Sequence, residues 1–170
     1  MPSPRETETE IVLMVQPGEA NPLGRMHGGR VMYLIDEVGG ICAMRHCHRS
    51  AVTVSMDQVV FHNPILVGSA INLHARINWA GRHSLEVEVC VQSENLLTGE
   101  RQLTTTALLT YVALDDQGRP TTVPALALET DEDRTRFDAG EERHRSRIAT
   151  RDVRSGCTQP ETETPAPAPQ

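Results

Sequence analysis

Lysine is missing from this chain: all 16 basic residues are arginine, set against 23 acids for a net charge of -7. No basic stripe runs along the sequence, which excludes nucleic acid as an expected partner. No apolar run reaches the roughly 20 residues that a membrane-crossing helix requires. The acidic, polar start is unlike a secretory leader. A cytoplasmic protein without membrane contact is therefore expected. Zinc-like spacing is also lacking among Cys42, Cys47, Cys90 and Cys157, and Cys42 and Cys47 fall in or beside one helix, so reduced thiols are expected.

What is present is long-range hydrophobic order. At 170 residues the chain fits one domain with a substantial core. Residues 1–8 are expected to be a flexible start, 9–126 the main folded unit, 127–150 a C-terminal helix, and 151–170 a disordered tail rich in Thr, Pro and Ala. Within the main unit, 11–15 reads as a short strand ended by Gln16-Pro17-Gly18. Residues 19–26 form a loop carrying the turn-formers Asn21-Pro22 and Gly24. A helix of about 18 residues follows and closes in the basic cluster Arg45-His46-Cys47-His48-Arg49. Four strand-like segments come next, at 51–61, 70–79, 85–91 and 103–113. In the second, Ile71, Leu73, Ala75, Ile77 and Trp79 alternate with polar residues, as expected of a half-buried strand. A second helix is expected over 131–148, with Thr130 as N-cap and three acids in its first turn, where the helix dipole favours them.

The first helix carries the residue that points most directly to function. Val31, Met32, Leu34, Ile35, Val38, Ile41, Cys42 and Met44 cover most of its circumference, so it is expected to be wrapped on several sides. Asp36 sits in the middle of that apolar run. A charge buried without partners is costly, so an acid retained there implies a task. One strand, a wrapped helix and four further strands give an α+β chain whose antiparallel sheet curls around a long central helix, the hotdog arrangement. Gly39-Gly40, each costing roughly 1 kcal/mol inside a helix, fits a close approach of backbone to sheet.

Specific motifs strengthen that reading. The stretch HGGRVMYLIDEVGGICAMRHC resembles the central helix of the hotdog acyl-CoA thioesterases, nearest the brain-type cytosolic acyl-CoA hydrolases and their bacterial single-hotdog relatives. VTVSMDQVVFHNPILVG, GRHSLEVEV, LTYVALDDQGRP and PALALETDEDRTRF resemble the same family in order and spacing, over roughly residues 8 to 150. The resemblance implies hydrolysis of fatty acyl-CoA to free acid and CoA, with no metal or organic cofactor. It implies a catalytic pair of Asn21 and Asp36. It also implies a homodimer built as a double hotdog, with active sites at the subunit interface and three dimers in a hexamer as a further level. Arg82 and Ser84 are candidates for contact with CoA, as are Phe61, His62 and Asn63 at a strand end. Two other readings remain: an acyl-CoA-binding hotdog without turnover, and a dehydratase using His27.

Chemistry assigns the remaining parts. A thioester needs a donor for its developing oxyanion, and unpaired N–H groups at the helix start suit that task, so His27, Gly28 and Gly29 are expected to position the substrate. Asp36 then serves as general base or as nucleophile. Gly28 and Asp36 are eight residues apart, which at about 1.5 Å per residue places them ~12 Å apart along the axis. One carbonyl carbon cannot touch both, since reacting groups meet within about 3.5 Å. Each site is therefore expected to take Asn21 and the Gly28 region from one subunit and Asp36 from the other.

Overall fold

The computed structural model describes residues 1–151; the expected tail beyond Arg151 lies outside the described residues. Five strands form one antiparallel sheet: β1 (Thr9–Met14), β2 (Ser50–Phe61), β3 (Ala70–Ala80), β4 (Ser84–Glu94) and β5 (Arg101–Leu114), in the spatial order β1-β3-β4-β5-β2. Among the described residues three α-helices accompany them: α1 (Pro4–Thr7), α2 (Gly28–Cys47) and α3 (Asp131–Arg151). β2 follows α2 in sequence yet pairs with β5, so β1 and β2 are the two free edges and α2 lies in the curl between them. This is the α+β hotdog. No helix among the described residues is long and apolar enough to cross a membrane.

Alternation sorts the strands into two faces. Leu85, Val87, Val89 and Val91 of β4 and Ala107, Leu109, Tyr111 and Ala113 of β5 are buried against α2, which presents Val31, Leu34, Ile35, Val38 and Cys42 to them. Gly39 belongs to this contact, because a Cβ there would lie 2.5 Å from the Tyr111 hydroxyl. The opposite face carries Glu86 and Glu88, and α3 packs over it. Arg143 and Arg147 pair with Glu86, Arg136 with Glu88, and Arg76 of β3 with Asp133. Thr130 caps α3, its hydroxyl accepting from Asp133 N–H at 3.1 Å while Asp133 accepts from Thr130 N–H at 2.9 Å.

Two expectations change. Trp79 does not continue the inward set of β3. The pairing slips between Ile77 and Trp79, so Trp79 stands opposite Glu86 on the outer face, stacked on His144 of α3 with ring centroids 4.2 Å apart. Gly140 makes this possible, since a Cβ on it would lie 2.6 Å from Trp79 Cβ. The first residues also carry structure. Pro4 starts α1, Glu6 closes back on Ser3 N–H at 2.7 Å, and Arg45 donates to the Glu8 carbonyl at 3.1 Å and to the Thr9 hydroxyl at 3.0 Å. The polar segment thereby covers the C-terminal end of α2, whose last carbonyls favour a cation.

Candidate active site

The start of α2 is built by its own side chains. Asn21 Oδ1 accepts from the N–H of Leu23 at 2.9 Å and of Arg25 at 3.2 Å, which fixes the amide orientation because both neighbours are donors. Its Nδ2 group is left without a protein partner among the described residues and free to donate. Glu19 ties this loop to the helix: its carboxylate pairs with Arg30 at 2.8 Å, and its carbonyl accepts from His27 N–H at 2.9 Å. The Arg30 hydrogen bond, first, holds the Glu19 carboxyl below its ordinary value.

His27 is the N-cap of α2, and its Nδ1 accepts from Gly29 N–H at 3.0 Å. The proton of the neutral ring is therefore on Nε2, and Nδ1 is not available as a base. Two expected oxyanion donors thus separate. Gly29 N–H is taken by His27, whereas Gly28 N–H has no partner among the described residues. The Phe61 ring closes on Gly28, within 3.5 Å of where a Cβ would stand.

Asp36 occupies a different flank of α2. In the single chain it is exposed rather than buried, which corrects the expectation drawn from its apolar neighbours. Its Oδ1 accepts from the Thr53 hydroxyl of β2 at 2.5 Å, and its carbonyl accepts from the Tyr111 hydroxyl of β5 at 2.9 Å. Oδ2 is open among the described residues. Thr53 is a residue that sequence reading missed: in Val52-Thr53-Val54-Ser55 it looks like one more term of a strand alternation. Met32 and Tyr33, one turn before Asp36 on the same flank of α2, are 40% and 57% exposed.

The expected CoA contacts divide between two ends of the sheet. His62 Nε2 lies 3.0 Å from Thr106 Oγ1 and Asn63 donates to the Leu103 carbonyl at 2.8 Å, so both are tied to β5 near Phe61. Ser84 pairs with Val112, while Phe61 pairs with Thr105, seven residues away along β5. At about 3.3 Å per residue that is roughly 23 Å, so one chain does not bring Arg82 and Ser84 to the Phe61 end. A groove of about 1380 Å³ lies on the outer face, where Val52, Leu108 and Val112 meet Arg143 and Arg147 of α3. Neither Asn21 nor Asp36 lines it.

Known proteins share the chain's sequence and fold. Residues 23–100 match the family model described as thioesterase superfamily. An uncharacterized acyl-CoA thioester hydrolase of Bacillus subtilis is 41% identical over 129 residues, covering 76% of this chain and 75% of its own length. The cytosolic acyl coenzyme A thioester hydrolase of Rattus norvegicus is 34% identical over 91% of this chain, which spans 40% of that longer protein. Among solved structures, an apo-hexameric acyl-CoA thioesterase superposes with a TM-score of 0.81 at 39% identity, over 88% of this chain and 97% of that one. The acyl-CoA hydrolase of Staphylococcus aureus, in complex with butyryl coenzyme A, coenzyme A and coenzyme A disulfide, gives a TM-score of 0.82 at 34% identity over 89% and 92%. Further structures of that hydrolase carry alanine in place of an Asp, an Asn or a Thr. With that fold, these motifs and these relatives, the chain belongs to the hotdog-fold acyl-CoA thioesterases of the thioesterase superfamily.

Proposed function

We propose that this acyl-CoA thioesterase works as a homodimer, each of whose sites takes Asn21 and the Gly28 tip from one subunit and Asp36 from the other. The observation that carries the reading is the Asp36 carboxylate, with one oxygen held by Thr53 and the other open, set on an exposed apolar flank beside the free edge of β2. An edge strand and an apolar patch of this kind call for a covering surface. A second copy supplies one of matching character. The alanine positions of the Staphylococcus aureus hydrolase support the assignment: its Asn and Asp are separated as Asn21 and Asp36 are, and its Asp and Thr as Asp36 and Thr53 are. Solved relatives that are hexameric support three such dimers per assembly.

In the reaction, oxygen adds to the thioester carbonyl and its charge collects on the carbonyl oxygen. Gly28 N–H, at the positive end of α2, and Asn21 Nδ2 donate to that oxygen. Asp36 Oδ2 either takes the proton of the attacking water or attacks the carbonyl itself, the resulting anhydride then being opened by water. The C–S bond breaks, CoA leaves as thiolate and takes up a proton, and the acyl group leaves as the free acid. Phe61, His62 and Asn63 shape one end of the pocket. Arg82 and Ser84 meet the CoA phosphates at the other. Free thiols at Cys42, Cys47 and Cys90 and the cytosolic rat relative support a cytoplasmic location.

The test is a mixed dimer. Asn21→Ala and Asp36→Ala chains, each inactive alone, are co-expressed with different tags and the heterodimer is assayed for thiol release from butyryl-CoA. One intact site per heterodimer restores turnover. An inactive heterodimer overturns the shared-site reading, and affinity for acyl-CoA with no thiol released by the wild-type protein would identify a binder instead.

A further inference from the structure

Asp36 is gripped at two points, and only one of them is its carboxylate. Thr53 holds Oδ1, while Tyr111, which stands opposite Thr53 in the β2–β5 register, donates to the main-chain carbonyl. In a regular helix that carbonyl already serves the N–H four residues on, so the phenol is an additional donor that ties one turn of α2 to β5. Two features of the chain serve this contact. Gly39 leaves the space for it, since a Cβ would stand 2.5 Å from the hydroxyl and 3.2 Å from the ring carbon bearing it. β2 slips register between Thr53 and Ser55, and an extra residue of this kind re-aims neighbouring side chains. Tyr111 is 1% exposed, and burial first, then the Asp36 charge, raise its pKa above that of an ordinary phenol, so it stays a donor.

We propose that Tyr111 is a positioning residue for thioester hydrolysis: its hydroxyl sets the height and rotation of the α2 turn that carries Asp36. Oδ1 is thereby delivered to Thr53 and Oδ2 to the substrate. Tyr111 itself touches no substrate. The proposal rests on the reading of Asp36 as the reacting carboxylate.

Tyr111→Phe tests it, because the ring and its packing remain and only the hydroxyl is lost. Thiol release from butyryl-CoA by the full-length chain is measured beside Asp36→Asn. Loss of one neutral hydrogen bond lowers kcat by about five- to tenfold, with KM unchanged within about twofold. Gly39→Ala displaces the hydroxyl without removing it and lowers kcat at least as far. In the Tyr111→Phe background the added methyl no longer meets an oxygen, so the double variant is no slower than Gly39→Ala alone. Should Tyr111→Phe be too unstable to purify, the Gly39→Ala split between kcat and KM reads the same quantity. A Tyr111→Phe enzyme with wild-type kcat beside an inactive Asp36→Asn overturns the positioning role alone. A fall in kcat no larger than the fall in folded fraction, read by the fluorescence of Trp79, overturns it as well. Full activity of Asp36→Asn removes the reading of Asp36 and the proposal with it.

Discussion

Replacing Arg143 by Ala strands a carboxylate. Glu86 projects from β4 under α3 with its side chain 1% exposed, and Arg143 holds it with two nitrogens, at 2.6 Å and 3.1 Å. Breaking a buried pair from one side costs about 3–5 kcal/mol. Two features reduce that here. Arg143 is 29% exposed, and Arg147 remains 3.5 Å from Glu86. A loss of about 2 kcal/mol is the expected result, roughly 4–8 °C in Tm for a chain of this size. Glu86→Gln is the milder change, since the arginine left behind reaches water and the carboxylate does not. Trp79 supplies the assay: it is the chain's single tryptophan, 6% exposed and stacked on His144 of α3. Urea titrations followed by its fluorescence, at fixed protein concentration, report both global stability and undocking of α3. An Arg143→Ala midpoint equal to that of Glu86→Gln, or a loss under about 0.5 kcal/mol, would refute the argument that the buried Glu86 side chain depends on Arg143 as its partner.

Two further outcomes rest on the same packing. Gly140→Ala, favourable for an isolated helix by roughly 1 kcal/mol, is here destabilising, because the new methyl meets Trp79 Cβ at 2.6 Å; a red-shifted Trp79 emission checks it. His46 is buried at the C-terminal end of α2, with Nε2 2.8 Å from the Pro124 carbonyl and Nδ1 unpartnered. Burial, first, lowers its pKa below 6.5, so the unfolded chain binds the proton more readily. Its contribution is complete above about pH 6.5 and is lost as the pH falls below that value. The slope of stability against pH between about 6.5 and 5 should be smaller in His46→Phe than in wild type.

The hotdog and its central helix were legible because each depends on a period. Val31, Leu34, Ile35, Val38 and Cys42 of the apolar run in α2 are buried, as are the alternating Ile71, Leu73, Ala75 and Ile77 of β3. What escaped was whatever breaks a period or depends on another surface. At Trp79 a one-residue slip in β3 turns the side chain to the opposite face, and alternation carries no mark of it. Thr53 hid inside a strand pattern for the same reason, since its hydroxyl matters only through a register that places it over Asp36. Asp36 itself was misjudged as buried because an all-round apolar helix has two causes that one sequence does not separate. Leu34, Ile35 and Val38 are apolar for the chain's own sheet, whereas Met32 and Tyr33 remain exposed after folding. The acid sits among the second set, so its apolar setting is evidence for association rather than for a core. On this argument, single-chain mutants that keep the fold but block pairing of the α2–β2 flank should retain the stability of β4 and β5 and lose thioesterase turnover.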